Sequence, residues 1–175
     1  MPSRFDRTAV EQLLALAVDR LDGDWLLIGG AAAAAWFRDD RVTEDVDLVG
    51  MSGTQAERFA LMQLATDAGL PVEAVNSAAD FFVRKVADWR EQLVPLRVGR
   101  ATIYRPNATL FLLLKLDRLS ESDLDDCTRL LAHCATTGEA VDCARVRSRL
   151  AALPETADAA LGARRAALAR TLDAS

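Results

Sequence analysis

Two aspartates, Asp45 and Asp47, stand at alternate positions of the stretch "DVDLV". On a strand, residues two apart point to one face, with roughly 7 Å between their Cα atoms. Val46 and Leu48 then point the other way, into a core. Two carboxylates so placed repel each other and cost stability unless a cation neutralises them. Magnesium takes hard oxygen ligands and shares them with substrate phosphates, so the pair can hold a metal–phosphate complex. An exposed strand edge carrying two acids is the plainer reading. Upstream, "WLLIGGAAAAAW" places Gly29 and Gly30 ahead of five alanines. The first N–H groups of a helix have no partner inside it, and its dipole puts partial positive charge there. Glycines just ahead let a phosphate approach the backbone closely. Taken alone, the same run also fits a strand, turn and helix of an α/β core without a ligand.

The elements that must position these residues follow from periodicity. Residues 6–20 carry Val10, Leu13, Leu14 and Val18 at helical spacing, and Gly23 follows as a break. "WLLI" reads as a buried strand, and the alanine run as a helix from about Ala31. "DVDLV" reads as a second strand closed by Gly50. "TQAERFALMQLATDAG" reads as a helix stopped by Gly69. "PVEAV", "DFFVRKV", "QLVPLRV" and "ATIYR" read as strands, the last two turned by Gly99. After Pro106 the character changes to helices: "NATLFLLLKLDRL", a second capped by Ser120 or Ser122, then "AVDCARVRSRLAAL" and "ADAALGARRAALARTL". The fold class is therefore α+β, with a mixed α/β core over residues 1–105 and a C-terminal helical region over 106–175.

The chain has 175 residues, 51% of them apolar, and a net charge of −5. This supports a sizeable core and does not favour nucleic acid through bulk charge. No signal peptide or long apolar span is evident, so the expectation is a reduced, cytoplasmic protein away from membranes. The three cysteines are Cys127, Cys134 and Cys143. The first two lie two turns apart, which reads as a core stripe. The lone His133 has no ligand-spaced partner for a zinc site. Of 21 basic residues only Lys85 and Lys115 are lysine. Lys115 interrupts a run of leucines, an expensive place for an unpartnered charge. It reads either as a compact charge for phosphate or as a stem snorkelling from the core edge. Arg84, Lys85, Arg97, Arg100 and Arg105 gather on the later segments. They read as a groove for an acidic substrate or, more simply, as surface solubility.

Gly-Gly, a small-residue helix and then Arg41, Thr43, Asp45, Val46, Asp47 and Leu48 form an Arg-x-Thr-x-Asp-φ-Asp-φ pattern, φ being apolar. This resembles the signature of the nucleotidyltransferase superfamily. It is most similar to the minimal-nucleotidyltransferase kind, including the abortive-infection (AbiEii-like) toxin group. A second block, "LFLLLKLDRLSESDLDDCTRLL", resembles that group's apolar helix with a lysine, then an arginine, then Asp-apolar-x-Asp. Lys115, Arg118, Asp123 and Asp126 fill those places. The two blocks span most of residues 25–131.

The resemblance implies a nucleotidyltransferase-like mixed sheet flanked by helices, followed by a helical bundle. It implies transfer of a nucleoside monophosphate from a nucleoside triphosphate to an RNA or protein acceptor, and extends to a toxin paired with an antitoxin protein. Asp45 and Asp47 would hold magnesium or manganese. Gly29, Gly30, Arg41, Thr43 and Lys115 would serve the nucleotide, although Thr43 reads equally as a turn residue. Asp123 would position the acceptor or act as a base, with Arg118 and Asp126 in support. One feature departs from the pattern. Many superfamily members carry a third carboxylate on a later strand, and "DFFVRKV", "QLVPLRV" and "ATIYR" have none at the expected place; Asp80 and Glu91 only flank these segments. Either Asp123 supplies it from the helical half, as the toxin-like pattern implies, or the site is incomplete. The alternative is thus a catalytically incomplete nucleotide-binding or protein-interaction domain of the same fold. A phosphohydrolase using Asp-x-Asp fits less well, because threonine precedes the acids here rather than following them.

Overall fold

The computed structural model describes residues 4–78 and 80–174. The chain forms two compact units, Met1–Pro106 and Asn107–Ser175. It is an α+β protein: the first unit holds a mixed five-stranded sheet with helices, and the second is helical.

The strands of the first unit are β1 Gly23–Ile28, β2 Val46–Gly50, β3 Val75–Asn76, β4 Leu93–Val98 and β5 Ala101–Pro106. They lie side by side in the order β3-β2-β1-β5-β4. Strand β1 is antiparallel to β2 and parallel to β5, β2 is parallel to β3, and β4 is antiparallel to β5. Pro95 has no N–H to donate, and it sits on β4 at the sheet edge with a register shift beside it. Helix α1, Arg7–Arg20, buries Val10, Leu13, Leu14 and Val18, as their spacing predicts. The Asp6 carboxylate caps it by accepting from the Ala9 N–H at 2.9 Å.

Helix α2, Gly29–Trp36, begins two residues earlier than the alanine run suggests. Gly29 takes φ +68°, a left-handed value that lets β1 turn directly into the helix. Ala31, Ala32, Ala33 and Ala34 are fully buried. With only methyl side chains at these four positions, α2 packs closely on α1, β1 and β2. Helix α3, Gln55–Asp67, starts in a capping box between Thr54 and Glu57.

Two expected strands take other forms. "PVEAV" becomes a 3-10 turn, Val72–Ala74, followed by the two-residue β3. Pro71 holds φ at −56° and starts the turn, so the ladder is limited to Val75 opposite Val46 and Asn76 opposite Asp47. "DFFVRKV" opens instead as helix α4, Asp80–Arg84. One turn brings Arg84 Nε to 2.7 Å from Asp80 Oδ1, an i,i+4 pair that a strand cannot make. Val83 is buried, while Phe81 and Phe82 are exposed and pack edge to face.

The second unit contains α5 Ala108–Lys115, α6 Glu121–Thr137, α7 Cys143–Ala151 and α8 Ala159–Asp173. Asn107 caps α5 and Ser120 caps α6. Cys127 and Cys134 lie in this unit's core. Among the described residues no helix is long and apolar enough to cross a membrane.

Candidate functional site

In the first unit, β2 lies beside β1 with Asp47 opposite Ile28, the residue immediately before Gly29. Antiparallel pairing thus carries the acid pair to the end of β1 from which α2 departs. A Cβ added at Gly29 would lie 3.2 Å from Asp47 Oδ2. One added at Gly30 would lie 2.8 Å from Thr43 Oγ1 and 3.0 Å from Arg41 Nη2. Gly29, Gly30, Arg41, Thr43 and Asp47 therefore form one group around the start of α2, and no side chain caps that helix. Asp47 is half-buried. Asp45 is exposed, directly precedes β2, and joins the group through Thr43. The Thr43 hydroxyl donates to the Asp45 carbonyl at 3.1 Å and lies 3.4 Å from its carboxylate Oδ1.

The tightness at the glycines gives a direct expectation. Gly29→Ala must hold an L side chain at positive φ and press it against the Asp47 carboxylate. It is expected to destabilise the protein by about 1–2 kcal/mol, read as a lower denaturant midpoint at unchanged slope.

The donor set suits a hard divalent cation. Magnesium is commonly held by one or two carboxylates while phosphates and water complete its octahedron. Among the described residues, no group of three or more His, Cys, Asp or Glu is arranged to hold a metal. Asp80, one of the acids flanking the later segments, is paired with Arg84 on α4. Several basic residues of those segments also have partners of their own. Arg100 makes a bidentate pair with Asp22 at 2.6 and 2.7 Å. The Arg105 guanidinium lies 3.7 Å from the Trp36 ring centroid, and Lys85 Nζ 4.2 Å from that of Phe81.

In the second unit the structure brings Lys115, Arg118, Asp123 and Asp126 together. Lys115 ends α5 and is 6% exposed; Asp123 and Asp126, on α6, are fully buried. Lys115 Nζ donates to Asp123 Oδ1 at 2.7 Å and to Asp126 Oδ2 at 3.1 Å. Arg118 grips the Asp123 carboxylate with Nε at 2.8 Å and Nη2 at 2.9 Å. The Ser120 N–H and hydroxyl donate to the same carboxylate at 3.0 and 2.8 Å. Asp123 is thus the third residue of helix α6, closing its capping box with Ser120, and the acceptor for two cations. Burial pushes its pKa up. The Arg118 hydrogen bonds, the Lys115 charge and hydrogen bond, and the Ser120 hydroxyl outweigh that and hold it well below the usual carboxylate range. Burial also pushes the Cys127 thiol up to about 12, the two aspartates reinforcing and Lys115 opposing, so it stays protonated at neutral pH.

The Asp123 shift fixes a sign for acid unfolding. A carboxyl whose pKa is depressed on folding stabilises fully above its unfolded value of about 4 and loses that contribution as pH falls towards the folded value. The wild-type melting temperature is expected to drop as pH is lowered below about 4. Asp123→Asn should melt lower at neutral pH and show a flatter profile through that acid window.

The sequence pattern did not reveal what holds Thr43. Its backbone bridges to Phe5, 38 residues earlier, and no local spacing signals such a contact. No family model, no curated protein and no solved structure matches the chain.

Proposed function

We propose that the chain transfers a nucleoside monophosphate from a nucleoside triphosphate to a hydroxyl of an RNA or protein acceptor. The observation that carries this reading is the approach of Asp47 to the glycine entry to α2, its Oδ2 lying 3.2 Å from a Cβ placed on Gly29. Anionic phosphate is favoured at the N–H groups of α2, and the glycines leave room for it. Asp45 and Asp47 would hold a divalent cation beside those phosphates. Bound there, magnesium or manganese supplies charge to the α-phosphate and the leaving pyrophosphate and lowers the pKa of the attacking hydroxyl. Arg41 adds positive charge next to Gly30, and Thr43 fixes Asp45. The acceptor hydroxyl gives up its proton to solvent as its oxygen forms a bond to the α-phosphorus, the α–β bridging P–O bond breaks, and pyrophosphate leaves with that electron pair. Positioning and electrostatics supply most of the rate in such a transfer.

Lys115 and Asp123 have a different task in this proposal. Each satisfies the other inside the second unit, so they fix α5 against α6. A second reading, a nucleotide-binding domain without turnover, is favoured by one observation: among the described residues, no group of three or more His, Cys, Asp or Glu is arranged to hold a metal.

The test incubates the protein with each nucleoside triphosphate labelled at the α-phosphate, magnesium, and either total RNA or candidate proteins. Label on the acceptor supports transfer. Thermal stabilisation by magnesium and nucleotide without label supports the binding domain, at about 2.7 kcal/mol for a ligand at about 100 times its Kd. Neither label nor stabilisation refutes both.

A further inference from the structure

We propose that Phe5 and Arg7 are positioning residues for the acid pair: they strap the loop of residues 39–45 to α1 and so set where Asp45 stands. The consequence for metal binding rests on the reading above. Phe5 directly precedes the cap of α1 and is buried to 3% exposure. Its N–H donates to the Thr43 carbonyl at 2.8 Å, and the Thr43 N–H donates to the Phe5 carbonyl at 3.0 Å. This antiparallel bridge lies outside the sheet. Two residues on, Arg7 pairs with Asp39, towards the other end of the same loop, and with Glu11 at 3.0 Å one turn along α1. Helix α1 packs on α2, β4 and β5, so the core sets its place.

Thr43 relays that position. It is buried against Gly30, and its hydroxyl reaches Asp45. Asp39, Asp40, Val42, Glu44 and Asp45 are exposed, so the loop has little packing of its own. Loops of that kind open locally at low free-energy cost unless tied down. Residues that orient a metal ligand from outside typically change metal affinity or activity by about 10–100-fold when removed.

The probe is Mn2+ alone, its binding followed by electron paramagnetic resonance. Amide hydrogen exchange followed by NMR reads the loop. In Phe5→Ala, with α1 and the β4–β5 hairpin still protected, amides 43–47 should exchange faster and Mn2+ affinity should fall about tenfold. Phe5→Leu, which refills the site, should restore both. If Phe5→Ala does not fold, Arg7→Gln and Asp39→Asn, both at the surface, carry the test with the same expected direction. Unchanged exchange at 43–47 in a folded variant overturns the strap. Faster exchange without loss of Mn2+ affinity makes it merely structural and overturns it as well. A wild type that holds no Mn2+ refutes the metal site itself, a failure visible before any variant is compared.

Discussion

Asp47→Ala is expected to lower nucleotidyl transfer by at least about a hundredfold, the scale of losing one preorganised electrostatic contact to developing charge. Asp47 is the acid nearest the glycine entry, with its carboxylate against Gly29. On the proposed reading, only Asp45 would then be left to hold the cation beside the phosphates. Asp45→Ala should act in the same direction. Neither change opens a cavity in the apolar core, because Asp45 is exposed and Asp47 half-buried. Thermal melts should therefore stay close to wild type while turnover is lost. A matching fall in melting temperature would assign the acids to the fold instead.

Lys115→Met should have the largest effect on stability. It removes the ammonium that lies 2.7 Å from Asp123 and 3.1 Å from Asp126, both fully buried. Breaking a buried pair by removing one partner costs about 3–5 kcal/mol, because the remaining charge is left uncompensated. For a chain of this size that lowers the melting temperature by about 10 °C. Asp123 keeps Arg118 and Ser120. Adding Asp126→Leu to Lys115→Met should recover much of the loss, as replacing a buried ion pair with apolar residues commonly does. A lysine reserved for triphosphate would behave otherwise: its loss would weaken nucleotide binding and leave the melt unchanged.

Much of the fold was legible because its signals are local. Asp6, Thr54, Asn107 and Ser120 each precede a helix and each accepts from an N–H in its first turn. The β4–β5 hairpin turns at Gly99 and Arg100, between two apolar runs. The segment from Asp80 was misleading because Phe81, Phe82 and Val83 favour strands by type. Its helical form depends on a pair four residues apart, Asp80 and Arg84, and on aromatic rings that stay at the surface.

The candidate site was legible in its parts and not in its assembly. Alternation put Asp47 on β2, whereas Asp45 directly precedes that strand. That Asp47 reaches Gly29 follows from the antiparallel pairing of β1 with β2, which sequence periodicity does not encode. The Lys115 partners are set by the packing of α5 on α6. From sequence alone the lysine was equally a phosphate ligand or a snorkelling stem, and only the helix packing shows two buried carboxylates within reach. The Phe5–Thr43 bridge lies furthest beyond local pattern, since neither residue's neighbours announce it.

The measurement that bears most directly on the central proposal compares α-labelled with γ-labelled nucleoside triphosphate on the same acceptor, in wild type and in the Asp45→Ala, Asp47→Ala double variant. Expected are α-label on the acceptor, γ-label recovered in pyrophosphate, and loss of both signals in the variant. Transfer of γ-label, release of inorganic phosphate in place of pyrophosphate, or wild-type transfer by the double variant would contradict it.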